Sequence, residues 1–333
     1  VLQKVKVSGG GRCNVTHACF DPKELVGYYP RGYKELLSVF HKFQPGDTME
    51  WFESRGVPLK IEADNRIFPE SNSSQSIINC LTKEVQANGF KVVTSSAVTK
   101  ITGTNDGYLI ESKTGQYTAD SIFFTPGSAP KSLKLVEDLG HKIISVVPSL
   151  FTFNIQDALL KDLPGTSFPD AEVSIPSMKT SESGPMLITH WGLSGPAILK
   201  ISAWKARELF AADYKFDIVV NFINMDIQQA EEEFQKIKKE NPKCSIGQSK
   251  ISNVTNRFWL KILEISSVNS ERQVAQISAK ELQSVLKNIC EKRFSVTGKS
   301  TNKDEFVTAG GVDLKEINFK NMASKILPNF YIA

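Results

Sequence analysis

The sequence predicts a mixed α/β protein in which one α/β domain is interrupted by a β-rich region and a helical region. Three observations favour this organisation. Glycine loops that follow strand-like segments occur near both ends of the chain, a group of short strand-like segments lies between them, and three Lys- and Glu-rich helical segments follow that group. A length of 333 residues fits roughly two domains.

Composition excludes several classes of protein. The net charge is +4 and 41% of the residues are hydrophobic, so a nucleic-acid partner is not expected. No apolar run approaches the ~18 residues of a membrane span, and no signal peptide is recognisable. The five cysteines are scattered, without the C-x-x-C spacing of a metal or redox site, and the four histidines are not spaced for a metal. These features predict a reduced, cytoplasmic protein with no metal site and no nucleic-acid or membrane partner, and they leave its oligomeric state open.

The first α/β segment is predicted over 1–147. Val5 and Val7 alternate with lysines and predict a short strand that leads into "SGGGRCN". Apolar residues at helical spacing predict helices over 32–43 and 46–56. A third helix, with a serine N-cap, is predicted to stop at Gly89. Strands are predicted over 91–101, 107–113 and 116–124, the last two forming a hairpin through Thr114 and Gly115. The run "SIFFTPG" predicts a strand buried on both faces, and a helix follows over 131–139.

The pattern of predicted secondary structure changes at Pro148. Short strand-like pieces over 148–225 predict a small barrel or sandwich with one helix inside it. Residues 226–304 read as a helical subdomain with three helices, over 226–240, 256–265 and 278–292. The pattern of strands followed by glycines seen in the first segment returns over 305–333. The α/β domain is therefore predicted to consist of two separated pieces of the chain.

Three glycine loops share one chemical character: Ser8–Asn14, Thr125–Ser128 and Thr308–Val312. Each is predicted to follow a strand and offers free backbone N–H groups with close backbone approach. Such loops at the carboxyl ends of strands suit a large flat ligand with a pyrophosphate, to which Arg12 adds charge-assisted donors. The alternative is that they are only tight turns and that Arg12 pairs with a carboxylate such as Glu70. The nucleotide-binding pattern G-x-G-x-x-G is absent from the sequence.

Other motifs are weaker candidates. "GLSGP" around Ser194 lacks the second glycine of a nucleophile elbow, and Ser202 with Lys205 fits S-x-x-K, which is common by chance. His190 and Trp191 are more often a packed pair than a ligand-binding pair, and Cys13 is more often a buried structural thiol than a nucleophile.

Five segments together carry a family resemblance: "KVKVSGGGRCNVTH", "NRIFPESNSSQSI", "GHKIISVVPSLFTF", "ITHWGLSGPAILKIS" and "FVTAGGVDLKEINFKNMASKILPNFYIA". In this order they resemble the YhiN/BaiN-like family of bacterial NAD(P)/FAD-dependent oxidoreductases, along nearly the whole chain. The resemblance implies a FAD-binding Rossmann-like domain interrupted by a β-barrel-like domain and a helical subdomain. It also places "ITHWGLSG" on the substrate side.

The resemblance implies a flavoprotein that transfers hydride to or from a small organic substrate, an enone or an amine, with NAD(P)H as the reductant. No catalytic acid or base is assigned. The residues implied to line FAD are Ser8, Gly9, Gly10, Gly11, Arg12, Cys13, Asn14, Thr125, Gly127, Ala309, Gly310 and Gly311.

The sequence departs from the family pattern at both ends. Members begin with a strand-turn-helix unit bearing G-x-G-x-x-G and continue past "YIA" into a further flavin-contacting segment. The expectation is therefore a truncated chain that binds FAD weakly, since the helix on which the pyrophosphate rests is not in this sequence. In addition, Pro126 removes a backbone N–H from the second loop. The alternative is a non-enzymatic scaffold or binding fragment that holds no cofactor.

Overall fold

The computed structural model describes residues 1–127, 129–300 and 307–333. These residues confirm the mixed α/β class with a barrel and several helices. The helices are α1 (Gln3–Val7), α2 (Pro22–Leu25), α3 (Tyr33–Phe40), α4 (Pro45–Glu53), α5 (Ser74–Ala87), α6 (Pro130–Asp138), α7 (Pro196–Trp204), α8 (Ala206–Ala211), α9 (Ile227–Glu240), α10 (Asn256–Ile265) and α11 (Ala279–Cys290).

The strands are short, and most of them pair antiparallel. They are β1 (Thr16–His17), β2 (Leu59–Ile61), β3 (Arg66–Pro69), β4 (Val98–Thr104), β5 (Gly107–Ser112), β6 (Gly115–Ala119), β7 (Ile122–Phe124), β8 (Ile143–Ser149), β9 (Thr152–Ile155), β10 (Ser167–Ile175), β11 (Thr180–Ile188), β12 (Gly192–Ser194), β13 (Phe216–Asn221), β14 (Lys292–Ser300), β15 (Val307–Val312), β16 (Ile317–Asn318), β17 (Ala323–Ser324) and β18 (Phe330–Ile332).

The described residues form two compact units. The first comprises Val1–Val146 with Gly310–Ala333, and the second comprises 147–300 with 307–309. The segments 148–225 and 226–304, which the sequence separates, thus fall in one unit. The predicted border between 304 and 305 lies outside the described residues.

The first unit contains three small sheets. β1, β3 and β2 form one, β4, β5 and β6 another, and β16, β17, β18 and β7 the third. In the third sheet β18 runs parallel to β7, with Phe330 opposite Ile122 and Ile332 opposite Phe124. The inner side chains of this pair form a core with α6 residues such as Val136, which is fully buried. The carboxyl ends of both strands therefore lie at one edge of this sheet.

The second unit is built around a closed six-stranded barrel, in the order β10, β11, β12, β9, β14, β13. Alternate side chains fill its interior, including Phe153, Val173 and Ile188, all fully buried. The helices α9, α10 and α11 share the hydrophobic core of the barrel, and the α10 indole of Trp259 donates to Ile246 O at 2.8 Å. Segment 226–304 is therefore not purely helical, because its strand β14 completes the barrel.

One strand prediction in the first unit is wrong, and two need correction. Residues 4–7 lie in the helix α1. An alternation of only four residues does not distinguish the period of a strand from that of a helix, and contacts between α1 and α5 favour the helix. Residues 91–97 are irregular, and the strand begins at Val98. Strand β7 is buried on one face only, since Phe123 is 74% exposed and stacks on Tyr331.

The predicted helices α3, α5, α9, α10 and α11 are confirmed, as is the hairpin of β5 and β6. Helix α4 begins one residue before its predicted range. Gln44 is its N-cap, and Asp47 lies at the third helical position, where its carboxylate accepts from Gln44 N at 2.7 Å. No helix of the described chain is both long and apolar enough to cross a membrane.

Candidate functional site

The first glycine loop follows a helical turn and is held by its own backbone. Gly9, Gly10 and Gly11 have φ values of 57°, 68° and 84°, a left-handed conformation that glycine adopts without steric cost. The Cys13 amide donates to Ser8 O at 3.0 Å, which closes the loop. Cys13 itself is buried, as expected for a structural thiol, and its φ of 63° continues the left-handed conformation of the loop.

The loop packs against β3, the "RIFP" segment. A side chain at Gly9 would place its Cβ 2.7 Å from Asn14 N and 3.0 Å from the Phe68 ring, so this glycine is required by packing. The side-chain amide of Asn14 lies 2.9 Å from Thr16 O, where its nitrogen is placed to donate. Asn14 thus helps to fix the strand that follows the loop.

Arg12 is anchored on the protein itself. Its Nη1 lies 2.7 Å from Glu62 Oε1 and its Nη2 lies 3.3 Å from Glu62 Oε2, a paired geometry. Its guanidinium also lies 3.9 Å from the centroid of the Phe68 ring, which is a cation–π contact. The hydrogen bond from Arg12 holds the pKa of the Glu62 carboxyl below its ordinary value and raises the pKa of Arg12. The carboxylate partner is thus Glu62 and not Glu70.

The second loop begins where β7 ends. Thr125 and Gly127 are exposed, and Gly127 has a φ of 61°. Because β7 and β18 are parallel, this loop lies at the carboxyl edge of the pair, where Ala333 N donates to Phe124 O at 3.2 Å. Ligands bind at such edges in open α/β sheets. Ser128 of this loop lies outside the described residues.

The third loop is part of β15, which pairs with β8. Ala309 is buried with Val147 and Ala206, so its side chain serves packing in the second unit. A Cβ at Gly310 would lie 2.5 Å from Ser145 O and 2.8 Å from Ile144 O, so this glycine permits the close approach of the two strands. Gly311, by contrast, has no atom within 4 Å of its Cβ position.

The glycines of the three loops therefore divide into two groups. Gly9 and Gly310 are glycine because neighbouring atoms leave no room for a side chain. Gly10, Gly127 and Gly311 have positive φ and open space at their Cβ positions. In these three places the backbone is bare and accessible, which is what a flat ligand that approaches main-chain N–H groups requires.

The serine candidates prove to be structural. Ser202 is fully buried, and its hydroxyl accepts from Phe151 N at 3.0 Å and donates to Leu199 O at 2.8 Å. Ser194 bonds the Thr152 hydroxyl at 2.9 Å. The packed-pair interpretation of His190 and Trp191 is wrong, because both side chains are exposed.

The sequence matches the HI0933-like protein Rossmann domain over residues 1–333. The chain belongs to the HI0933-like family. It is thus one of the YhiN/BaiN-like FAD-dependent oxidoreductases, and the resemblance carried by the five motifs is confirmed.

Three curated relatives of this HI0933-like protein align over 99% of the chain. A ribosomal RNA dihydrouridine synthase of Escherichia coli is 22% identical over 81% of its own length, and one of Haemophilus influenzae is 24% identical over 82%. A 3-dehydro-bile acid delta(4,6)-reductase of Clostridium scindens is 22% identical over 82% of its length.

The described residues fit the cofactor of the HI0933-like family. FAD needs accessible backbone donors, and the main chain at Gly10, Gly127 and Gly311 is not covered by a side chain or by a neighbouring atom at the Cβ position. Sequence reasoning found these loops but missed Glu62 and Phe68, the partners of Arg12. The signal that could have found them was the charged stretch "EADNR" directly before "IFP".

Proposed function

We propose that this FAD-dependent oxidoreductase reduces a carbon–carbon double bond conjugated to a carbonyl in a small organic substrate, with NAD(P)H as the reductant. When bound, FAD supplies the hydride-transfer chemistry. The chain positions the cofactor and the substrate and excludes competing reactions. The proposal narrows the sequence-based choice between an enone and an amine.

The observation that carries the proposal is the set of open glycines. Gly10, Gly127 and Gly311 each combine a positive φ with an empty Cβ position. Glycine is favoured there by the backbone conformation and not by the packing of neighbouring atoms. Backbone N–H groups in such loops bind phosphate and flavin oxygens without a side chain in the way. Among the residues implied to line FAD, Ser8, Gly10, Gly11, Asn14, Thr125, Gly127 and Gly311 remain the proposed cofactor contacts.

The remaining implied residues have roles in holding the loops. Gly9 and Gly310 allow close packing, Cys13 and Ala309 are buried, and Arg12 is paired with Glu62. A residue that fixes a loop still affects the affinity for the ligand that the loop binds. We therefore retain these five as cofactor-site residues, with Arg12 acting either on the phosphates or through the loop.

The names of the relatives favour a double bond as the acceptor. One is named a delta(4,6)-reductase, and two are named for the formation of dihydrouridine. A conjugated carbonyl makes the far carbon of a double bond electron-poor, so it accepts hydride. This chemistry is common to an enone and to the uracil ring, and the small enone is the substrate that we propose.

The protein is proposed to be cytoplasmic, without nucleic-acid or membrane partners, in keeping with its net charge of +4. Ribosomal RNA is the alternative substrate, because two relatives carry that name. A scaffold that holds no cofactor is the alternative to any enzymatic function.

The test is an anaerobic reduction assay on the protein expressed from its complete gene and loaded with FAD. Oxidation of NADPH is followed in the presence of a steroidal 4-en-3-one, of 2-cyclohexenone, or of an unmodified ribosomal RNA transcript. Saturable turnover of an enone with formation of the saturated ketone supports the proposal. Turnover of RNA alone would replace the substrate, and absence of flavin reduction by NADPH would remove NAD(P)H as the reductant.

A further inference from the structure

One lysine of the second unit projects from the inner face of the barrel. Lys299 lies near the end of β14 and is opposite Phe153 of β9 in the antiparallel register. Residues that are directly opposite each other in such a pair project from the same face of the sheet. Phe153 is fully buried inside the barrel. The side chain of Lys299 therefore begins on the inner face, at one end of the barrel.

An irregularity in β14 produces this orientation. Val296 is opposite Ile155, and both side chains are buried in the barrel core. The register then shifts between Val296 and Gly298. A regular alternation would bring Gly298 to the inner face, whereas the shift brings Lys299 there. Such bulges are known to redirect a side chain beside functional sites, so the position of this lysine requires an explanation.

The amine of Lys299 lies against an aromatic surface. Its Nζ is 4.9 Å from the centroid of the Tyr214 ring, and this ring packs edge-on against Phe151 with 5.4 Å between the centroids. No carboxylate of the described residues pairs with the amine, and burial lowers the pKa of Lys299. A half-buried charge without an anionic partner costs stability, so this lysine is not explained by the needs of the fold.

The hydroxyl of Tyr214 is a second unsatisfied group at this place. It is buried and has no hydrogen-bond partner in the part of the chain that the structure describes. The backbone holds the ring in position, because the Tyr214 amide donates to Leu209 O at 2.9 Å. The phenol needs an acceptor for its proton, and the ammonium form of Lys299 offers only donors.

We propose that Lys299 is a site of acylation by small activated acyl groups, carried as acyl phosphates or acyl thioesters. The neutral amine attacks the carbonyl carbon and forms an amide bond. The bond from that carbon to the phosphate oxygen or to the thioester sulfur breaks, and the amine nitrogen loses a proton to water. Desolvated lysines are suited to this step, because the neutral amine is the nucleophile. No electron is exchanged, so the site is independent of the proposed redox function.

The two unsatisfied groups favour an acyl group over other modifications. Acylation removes the positive charge that has no partner. It also brings a carbonyl oxygen, which is an acceptor, into the neighbourhood of the Tyr214 hydroxyl. Methylation would keep the charge and add no acceptor. The acylated side chain thus matches its surroundings better than the lysine does.

The first experiment compares two lysines of the folded protein expressed from its complete gene. The protein is incubated with acetyl phosphate or, separately, with acetyl coenzyme A, and peptide mass spectrometry follows each site. Lys280, an exposed lysine on α11 of the same unit, is the matched control. We expect Lys299 to be acetylated about fivefold faster than Lys280 or more, and the difference to vanish in urea.

Reaction with only one of the two donors supports the site and identifies the source of its acyl group. Acetylation of Lys299 that is no faster than that of Lys280 in the folded protein would overturn the proposal. A preference for Lys299 that persists in urea would also overturn it, because the preference would then come from the local sequence and not from the barrel.

The second experiment tests the two unsatisfied groups. Tyr214→Phe keeps the ring and removes the hydroxyl, so acetylation of Lys299 should slow about threefold or more while that of Lys280 is unchanged. Tyr33→Phe, at an exposed phenol, is the control. Lys299→Met should melt no lower than the wild type, because it removes a charge without a partner. An unchanged rate in Tyr214→Phe, or a lower melting temperature of Lys299→Met, would contradict the proposal.

Discussion

The guanidinium of Arg12 and the carboxylate of Glu62 lie 2.7 Å apart and join the first glycine loop to the segment before β3. The pair rests on Phe68, whose ring centroid is 3.9 Å from the Arg12 guanidinium. Residues fifty positions apart in the chain are thereby fixed together. The loop that we assign to the cofactor is thus preorganised by the protein before any ligand binds.

Arg12→Ala should weaken FAD binding by on the order of tenfold to a hundredfold, because it removes the charge-assisted pair with Glu62 that holds the loop in place. Lys6→Ala is the control, since Lys6 is exposed on α1. Flavin fluorescence titrations of both variants measure the dissociation constants. Equal constants would remove Arg12 from the site. A melting temperature of Arg12→Ala that falls equally with and without FAD would assign Arg12 to the loop alone.

Two neighbouring glycines should respond differently to alanine. Gly310→Ala should lower the free energy of unfolding by about 1–3 kcal/mol more than Gly311→Ala, because its Cβ would lie 2.5 Å from Ser145 O. Gly311→Ala carries only the backbone strain of a positive φ, because its Cβ meets no neighbouring atom, and it should in addition lower the affinity for FAD. Urea unfolding and FAD titration of both variants check this. Equal unfolding energies would contradict the division of the glycines into packing and ligand-facing groups.

A buried histidine joins two parts of the first unit. His141 Nδ1 lies 2.7 Å from Glu316 Oε2, and its Nε2 lies 3.0 Å from Ser324 Oγ. Ser324 Oγ also accepts from Ile326 N and Leu327 N, at 3.1 and 2.9 Å. Because both lone pairs of Ser324 Oγ are engaged, the Ser324 hydroxyl proton points to His141 Nε2. The His141 ring therefore carries its proton on Nδ1 and donates it to Glu316 Oε2.

Ser324→Ala should therefore lower the free energy of unfolding by about 1–3 kcal/mol, because it leaves Nε2 of the buried His141 without its partner. Ser54→Ala, at an exposed hydroxyl beyond α4, should have little effect. The same bonding makes Ser324 a poor nucleophile, despite its resemblance to a Ser–His–Glu triad. Covalent labelling of Ser324 by a fluorophosphonate would contradict this assignment.

The N-terminus of α11 provides a pH-dependent contribution to stability. Hydrogen bonds from the Ser278 backbone and hydroxyl, at 2.9 and 2.7 Å, together with Arg272, lower the pKa of Glu281 from 4.5 to about 2. A depressed carboxyl pKa stabilises the folded state above the unfolded-state value, and this stability is lost as the pH falls towards the folded-state value.

Glu281→Gln keeps a hydrogen-bonding side chain but removes the charge. We expect its melting temperature to lie below that of the wild type at pH 7, with a gap that closes between about pH 4.5 and about pH 2. Glu240→Gln, at an exposed carboxylate in the last turn of α9, is the control. A gap that stays constant over this interval would show that the Glu281 charge makes no contribution.

Local patterns in the sequence predicted the parts of the fold that depend on local chemistry. The serine cap before α5 and the capping box of Asp226 at α9 begin helices where the sequence indicates them. Short strand-like pieces at close spacing predicted a small barrel or sandwich over 148–225, and the structure has a closed barrel with apolar side chains in its interior. The helix at 3–7 was missed because contacts of Val5 with the core around Ile77 outweigh a four-residue alternation.

The sequence predicted the loops of the candidate site but not the long-range contacts that hold them. The glycine loops are visible as loops, but the difference between Gly310 and Gly311 depends on the position of Ser145 O on a distant strand. The partner of Arg12 was expected to be a carboxylate such as Glu70, and it is Glu62, because the turn before β3 brings Glu62 to the loop. Long-range pairing of this kind follows from tertiary packing and leaves no local pattern.

The most direct test of FAD-dependent redox chemistry in this protein is its visible absorption spectrum after purification from the complete gene, before and after anaerobic addition of NADPH. We expect flavin bands in the blue and near ultraviolet, with about one FAD released per chain on denaturation, and bleaching of the blue band by NADPH. A protein that is folded by circular dichroism, shows no flavin bands and gains none on incubation with FAD would contradict this expectation.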